Sequence, residues 1–184
     1  MQVGRQVRVH AGSGAPAADP NSLLFSATLA QNAALAGRIQ LPEAIAAGRT
    51  AQCRVRGIQI TSFDNLAWEL WLWSNSLFQV ASGVGSTTEA FRGFWAFAAT
   101  DAKQIAGANN WYYYIDGLDV FYEDDDAMTV TPPLPGGTDP TWRATTNGQA
   151  GAFLNVTLIN RSAASKTAAK WFDLVFILEP TLGW

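Results

Sequence analysis

The sequence predicts an all-β protein, an antiparallel β-sandwich, and its clearest signal is the stretch from Leu66 to Trp73. This stretch alternates strictly between two faces, as a half-buried strand does. One face is wholly apolar and the other places a carboxylate between two indoles, namely Trp68, Leu70 and Leu72 against Glu69, Trp71 and Trp73. Similar short stretches recur along the chain, separated by turn residues, and few segments favour a helix.

Two long connections, near residues 31–51 and 132–152, indicate the type of sandwich. Long crossovers favour a jelly roll over an up-and-down barrel, and the lack of a repeat of blade length disfavours a propeller. A chain of 184 residues suits one domain that builds its own core. We therefore expect residues 21–184 to form a single β-sandwich of jelly-roll type.

The N-terminal residues differ from the rest in composition. Val3–Val9 alternates like a strand, but Ala11–Pro20 is a linker of small residues, glycine and proline. Residues 1–20 are therefore predicted to be an extended arm, with a frayed terminus as the open alternative. The first 60 residues contain six arginines and two acidic residues, so the arm is basic and the body acidic. We expect the arm to dock on a neighbouring subunit or on another acidic surface through Arg5, Arg8 and His10.

The individual strands are predicted from turn residues and changes of phase. Gln52–Thr61 changes phase at Gly57, where a bulge would return its apolar residues to one face. Ser62–Asn65 predicts a hairpin into the central strand, and Asp116–Gly117 predicts a two-residue hairpin. In Phe91–Phe97, the rings of Phe91, Trp95 and Phe97 share one parity with Gly93, which indicates a bend or close approach by a neighbouring chain.

Two further segments have weaker patterns, and the last two predicted strands have clear ones. Gln31–Gly48 is rich in alanine and predicts an irregular or briefly helical crossover, and Thr100–Asn110 predicts one helical turn. Phe153–Asn160 and Trp171–Leu178 alternate clearly and predict the last two strands.

The residue types needed for most catalytic sites are missing or unpaired. His10 is the only histidine and Cys53 the only cysteine, so histidine-based catalysis and histidine or cysteine metal sites lack partners. We expect Cys53 to be a small buried hydrophobe. The run Glu123–Asp126 could offer oxygen ligands to a cation, but it lacks the spacing of a calcium loop and is better explained as a solvated acidic turn.

Paired carboxylates and phosphate loops are also not indicated. The carboxylates available for glycoside hydrolysis show no spacing that selects a pair, namely Glu69, Glu89, Asp116 and Asp119. Gly83–Gly85 lacks the ending that a nucleotide loop requires. We therefore expect no catalytic residues, no cofactor and no metal, and a protein that is not an enzyme.

Aromatic residues are abundant where charged residues are few. Aromatic residues make up 12% of the chain and charged residues 15%, with eight tryptophans. This imbalance predicts aromatic contacts with other copies of the chain or with a partner. The candidates for that surface are Trp71, Trp73, Trp111, Tyr113 and Trp142. A carbohydrate platform on Trp111–Tyr114 or Trp142 is the open alternative, because exposed rings stack on sugars.

Charge and hydropathy limit the remaining partners. The net charge of −3 is too small to predict a nucleic-acid partner, and no stretch is apolar enough to span a membrane. No secretory signal is visible at the N-terminus. We expect a soluble protein that is synthesised in the cytoplasm and binds neither nucleic acid nor a membrane.

Three segments resemble a known family. They are Leu154–Pro180 (LNVTLINRSAASKTAAKWFDLVFILEP), Arg54–Ile60 (RVRGIQI) and Ala67–Trp73 (AWELWLW). In pattern, over about residues 50–180, the chain is similar to the jelly-roll decoration, or cement, proteins of tailed bacteriophage capsids. The resemblance implies a small β-sandwich on the outside of the virion, without catalytic residues. It also implies a homotrimer that binds the major capsid protein and clamps the shell.

The resulting hypothesis is a capsid decoration protein whose role is adhesion. The alternative hypothesis is a carbohydrate-binding module, or an adhesion module of a phage fibre or tail.

Overall fold

The computed structural model describes residues 6–12, 28–41, 52–74, 91–105, 109–124, 153–167, 170 and 172–181. These residues form ten strands and one short 3-10 turn at Ala99–Asp101. The strands are β1 (Val7–Gly12), β2 (Ala34–Gln40), β3 (Gln52–Ser62), β4 (Trp68–Trp73), β5 (Phe91–Phe97), β6 (Lys103–Gln104), β7 (Trp111–Ile115), β8 (Val120–Glu123), β9 (Phe153–Asn160) and β10 (Phe172–Pro180).

The strands form two antiparallel sheets that pack against each other, so the predicted β-sandwich is confirmed. The six-stranded sheet has the order β1-β10-β3-β7-β6, with β8 also paired to β3. The four-stranded sheet has the order β2-β9-β4-β5. The first four strands alternate between the sheets, and strand β1 at one margin pairs with the last strand, β10.

The core lies between the two sheets and follows the predicted alternation. Trp68, Leu70 and Leu72 of β4 are buried, as expected. The indole of Trp68 packs edge-on against the ring of Phe172 in the opposite sheet, with centroids 4.9 Å apart. Burial of such large apolar groups is the main stabilising term in a sandwich of this size.

A bulge in β3 confirms the predicted change of phase. Gly57 pairs with Ile177 of β10, but the next pair is Val55 with Leu178, so Arg56 is the extra residue. As a result, residues on both sides of the bulge face the core and are buried, namely Cys53, Val55, Ile58 and Ile60.

The N-terminal strand corrects the prediction of an extended arm. β1 pairs with β10 along its whole length, and Val9 and Ala11 are buried in the core. The arm prediction is therefore wrong for residues 7–12, because alternation indicates a strand but not its pairing partner. Arg5 and residues 13–20 lie outside the described residues.

The connection after β3 corrects the first predicted hairpin. Because β3 lies in the six-stranded sheet and β4 in the four-stranded sheet, residues 63–67 cross from one sheet to the other. The turn residues at Ser62–Asn65 allow this crossing as well as a hairpin. The hairpin prediction is wrong because both neighbours of β4, β5 and β9, come from later in the chain.

The segment Asp116–Gly117 corrects the second predicted hairpin. β7 and β8 both pair with β3, one after the other along its length, so the two flanking segments do not pair with each other. Residues 116–119 lie between the two paired segments, opposite the bulge in β3. There the Leu118 amide donates a hydrogen bond to the Arg56 carbonyl (3.1 Å). Gly117 has a φ of +68°, the conformation for which the turn was predicted.

Two weaker predictions are also corrected. Ala34–Gln40 is a strand paired with β9, not an irregular or helical crossover. Thr100 lies in a 3-10 turn that leads directly into β6, not in an α-helical turn. Among the described residues, no helix has the length and apolar character needed to cross a membrane.

Candidate functional site: an aromatic surface and a tyrosine-rich face

Four rings form a cluster on the outer face of the four-stranded sheet, here called the aromatic patch: Trp71, Trp73, Phe91 and Phe94. Trp71 and Trp73 are two residues apart on β4 and stack with centroids 5.8 Å apart. Phe94 pairs directly with Trp71 and meets it edge-on at 5.4 Å. Phe91 pairs with Trp73 and packs edge-on against both indoles, at 5.4 and 5.5 Å. These edge-to-face contacts make the patch one packed unit.

A bulge in β5 builds the patch. Leu72 pairs with Gly93, but the next pair is Trp73 with Phe91, so Arg92 is the extra residue. The bulge turns Phe91 to the outer face, and the prediction that it shares a face with Trp95 and Phe97 is wrong.

Gly93 lies against a side chain of its own strand. A Cβ atom at Gly93 would lie 2.6 Å from Cη2 of Trp95, so the indole of Trp95 lies directly against the glycine. The sequence predicted a bend or an approach by a neighbouring chain here, whereas the group that approaches the glycine belongs to the same chain.

The rings of the patch differ in accessibility. Phe91 is 37% exposed and Phe94 45%, whereas Trp71 is half-buried. Trp73 is only 2% exposed, and its indole N–H donates a hydrogen bond to Thr157 Oγ1 (3.0 Å). Trp73 is therefore the base of the patch, and its prediction as accessible surface is wrong. The exposed phenylalanines are the residues that sequence reasoning missed. The exposure of Phe91 depends on the bulge and so on pairing with β4, whereas Phe94 faces outward by alternation with buried Trp95.

A closed set of polar contacts borders the patch. Glu69 Oε2 accepts a hydrogen bond from Arg161 Nε (2.7 Å) and lies 2.5 Å from Arg161 Nη2. The Trp71 indole N–H donates to the same oxygen (3.4 Å), and Arg161 Nη1 donates to Asn32 Oδ1 (3.0 Å). Glu69 and Arg161 thus neutralise each other beside the patch. Another apolar surface could therefore cover the rings of the patch without breaking these polar contacts.

The outer face of the six-stranded sheet has a different character. We call it the tyrosine face and define it by Arg8, Gln59, Thr61, Lys103, Tyr112 and Tyr114. Strand register places Thr61, Tyr112 and Lys103 in one row and Gln59 and Tyr114 in the next. The rings of Tyr112 and Tyr114 stack with centroids 6.2 Å apart and an angle of 18° between their planes. Tyr114 is 44% exposed.

The predicted docking residues belong to this side of the sandwich. Arg8 and His10 alternate with buried Val9 and Ala11, so they point outward from β1 as parts of the sheet. His10 Nε2 lies 3.2 Å from Asp173 Oδ1 and links β1 to β10. Two of the three predicted docking residues are thus brought together on one face, and Arg5 lies outside the described residues.

The remaining predicted aromatic residues do not form the surface. Trp111 and Tyr113 alternate with Tyr112 and Tyr114 and therefore point inward. Trp111 is half-buried and packs against the core, and Tyr113 is 1% exposed. The prediction of Tyr113 as an accessible contact is wrong, because the strand phase that exposes Tyr112 and Tyr114 buries it. Trp142 lies outside the described residues.

Several carboxylates considered for catalysis have structural contacts. Asp119 accepts hydrogen bonds from Arg54 (2.7 Å) and Arg56 (2.6 Å), and the hydrogen bond from Arg54 lowers the pKa of Asp119. Glu69 is bound to Arg161. Asp116 is exposed in the segment between β7 and β8. Glu89, the fourth carboxylate considered, lies outside the described residues.

The acidic run is only partly a solvated turn. Asp124 is buried, where its Oδ2 accepts a hydrogen bond from the Phe153 amide (2.8 Å) and its Oδ1 accepts one from Asn155 Nδ2 (3.3 Å). Glu123 accepts one from Gln52 (2.8 Å). Asp125 and Asp126 lie outside the described residues. Within the part of the chain that the structure describes, no group of three or more potential metal ligands occurs.

The thiol of Cys53 is buried, as predicted, and burial raises its pKa to about 12. Since the thiolate is the reactive form, Cys53 is poorly suited to act as a nucleophile.

No family model and no curated protein matches this chain in sequence. The aromatic patch and the tyrosine face are therefore interpreted from their own geometry.

Proposed function

We propose that this chain is a capsid decoration protein, a structural component that binds the outside of a phage head and stabilises the shell by adhesion. In this proposal it acts as a homotrimer on the major capsid protein, without a cofactor and without catalysis. The observation that supports it best is the aromatic patch, where Phe91 and Phe94 remain accessible above a rigid base of Trp71 and Trp73.

The patch has the character of a protein–protein contact. Aromatic rings are enriched at the centre of such interfaces, where rigid rings lose little entropy on binding. Its polar border is already satisfied by the Glu69–Arg161 pair, so an apolar partner surface could cover the rings without leaving these charges unpaired. The bulge at Arg92 also disturbs the edge of β5, which favours contact through side chains over strand addition.

We further infer that the sandwich is a jelly roll. Strands β1 to β4 alternate between the sheets, β4 and β5 form the only sequential pair in the four-stranded sheet that the structure describes, and β1 lies beside β10. This order fits two interlocked Greek keys, the arrangement from which jelly rolls are built.

The test is a shell-stabilisation assay with undecorated phage heads. Purified protein should bind the heads and raise their disruption temperature, and Phe91→Ala with Phe94→Ala should remove most of that gain. Phe121→Ala is the matched control, because Phe121 is 43% exposed but lies in the other sheet. Wild-type protein that fails to bind, or a double variant that stabilises as well as wild type, would contradict the proposal.

The assay uses the full chain. Deletion of residues 1–20 would remove β1 from the six-stranded sheet, so a truncated protein would report on folding as well as on docking.

A further inference from the structure

We propose that the tyrosine face binds an acidic oligosaccharide, one that presents carboxylates beside the apolar faces of its sugar rings. The inference is independent of the proposed function, because the tyrosine face and the aromatic patch lie on opposite outer faces of the sandwich.

The tyrosine face presents an accessible aromatic stack on the outer side of the six-stranded sheet. Tyr112 and Tyr114 are held parallel by their positions two residues apart on β7. Tyr114 remains 44% exposed, although β7 lies between β3 and β6 within the sheet. A rigid ring of this kind offers apolar surface against which a sugar ring can pack, at a small entropic cost.

Polar side chains lie beside the stacked rings of the tyrosine face. Gln59 and Thr61 are half-buried beside Tyr114 and Tyr112, and among the described residues their side chains have no hydrogen-bond partner. Such groups bind water in the free protein, and sugar hydroxyls can replace that water with equivalent hydrogen bonds. The contrast with the aromatic patch is clear, since the polar groups there are already bonded to one another.

The tyrosine face also carries positively charged side chains. Arg8 and Lys103 are exposed on this face, and neither forms an ion pair with any acidic residue in the described ranges. Asp173 pairs with Thr61 and lies on the same face, where its Oδ1 is 3.2 Å from His10 Nε2. Arg8 and Lys103, which have no carboxylate partner within the described ranges, outnumber this one carboxylate and favour a ligand that supplies carboxylates.

Arg8 lies on β1 one outward-facing position from His10, and the register places His10 in the same row of the sheet as Gln59 and Tyr114. Burial raises the pKa of Tyr112, and the neighbouring Tyr114 raises it further, whereas Arg8 acts in the opposite direction. Arg8 is therefore close enough to the stacked phenols for its charge to act on them, although β10 and β3 lie between β1 and β7.

The experiment measures binding of oligogalacturonate hexamer by calorimetry, with maltohexaose as the neutral sugar and a thymidine oligonucleotide as the other anionic ring polymer. We expect the acidic sugar to bind best, and its affinity to fall as salt is added. Tyr114→Ala should weaken binding about fivefold or more, as expected for the loss of one aromatic contact. Arg8→Gln with Lys103→Gln should bring the acidic sugar to the level of maltohexaose.

Phe94→Ala is the matched control, because Phe94 is 45% exposed and lies on the opposite outer face. It should leave sugar binding unchanged, while Tyr114→Ala should leave shell stabilisation unchanged, so failure of this inference is distinct from failure of the proposed function. The inference is overturned if oligogalacturonate does not bind, if Tyr114→Ala binds it as well as wild type, or if the oligonucleotide binds more tightly.

Discussion

Tyr113 is bonded to both backbone groups of Leu66, a residue 47 positions earlier in the chain. Its hydroxyl donates to the Leu66 carbonyl (2.7 Å) and accepts from the Leu66 amide (3.0 Å), and Asn65 Oδ1 lies 3.0 Å away. Leu66 lies in the crossing between β3 and β4, whereas Tyr113 lies in β7. One side chain therefore fixes the point where the chain passes from one sheet to the other.

We expect Tyr113→Phe to destabilise the protein by about 1–3 kcal/mol, since it leaves the buried Leu66 amide and carbonyl without a partner. Urea unfolding followed by tryptophan fluorescence measures this difference. Tyr114→Phe is the control and should change stability by less than about 0.5 kcal/mol, because Tyr114 is exposed. Equal effects of the two substitutions would show that the Tyr113 hydroxyl does not stabilise the crossing.

Tyr122 has a similar role at the other end of the sandwich. Its hydroxyl donates to the Phe153 carbonyl (2.6 Å) and accepts from the Asn155 amide (3.2 Å), which joins β8 to β9 across the two sheets. Tyr122→Phe should cost about 1–3 kcal/mol for the same reason as Tyr113→Phe. In the Tyr122→Phe variant, the Asn155 amide should exchange faster than in the wild type, and this increase should be larger than at amides in the middle of β9. Unchanged exchange at Asn155 would contradict this role.

Glycine is required at positions 117 and 57 for different reasons. We therefore expect the asparagine variant to be more stable than the alanine variant at position 117 and less stable at position 57. At Gly117 the φ of +68° disfavours alanine by about 1–2 kcal/mol, whereas asparagine tolerates this conformation. At Gly57 a Cβ atom would lie 3.1 Å from the Ile115 carbonyl oxygen and 3.2 Å from Ile177 Cδ1. Space is limiting there, so asparagine should be worse than alanine. Thermal unfolding of the four variants tests this, and the same order at both sites would contradict it.

Stability should fall in alkaline solution because three buried acids keep their protons in the folded state. Burial raises the pKa of Cys53 and of Tyr113 to about 12 and raises that of Tyr122 well above its usual value. In the unfolded chain the thiol titrates near 9.0 and the phenols near 10.0, so the unfolded state loses protons first. The free energy of unfolding is therefore fully maintained below about pH 9 and decreases from there to pH 12.

Cys53→Ala separates the contribution of the thiol from those of the phenols. The variant should lose stability less steeply between pH 9 and pH 12, by up to about 1.4 kcal/mol per pH unit. Urea unfolding at several pH values gives both slopes, so a change in stability at neutral pH does not affect the comparison. Parallel curves for the two proteins would contradict the assignment.

Local pattern predicted which residues form strands better than it predicted their partners. The alternation of Leu66–Trp73 and the change of phase at Gly57 both depend on neighbouring residues, and both appear in the structure as expected. The turn at Asp116–Gly117 has the expected backbone conformation, but long-range pairing with β3 decides what it connects. Strand pairing of this kind depends on contacts far apart in sequence, which a local pattern does not contain.

The same limit explains the outcome for the candidate site. Trp71 was predicted to lie on an aromatic surface and does, but the accessible rings beside it are Phe91 and Phe94. The exposure of Phe91 follows from a one-residue slip against β4 that no turn residue marks in the sequence, whereas the outward position of Phe94 follows from alternation with Trp95. Conversely, Tyr113 was predicted to be accessible, but the phase of β7 turns it into the core.

The position of β10 sets an order of events during synthesis. This strand lies between β1 and β3, so two strands made early must leave a gap until residues 172–180 emerge from the ribosome. Until then the edge of β3 that will pair with β10 has unpaired amides and carbonyls, which face water or a wrong partner. The six-stranded sheet is thus completed only after residues 172–180 have left the ribosome, and slow synthesis of the intervening chain would extend the period in which this open edge is prone to aggregate.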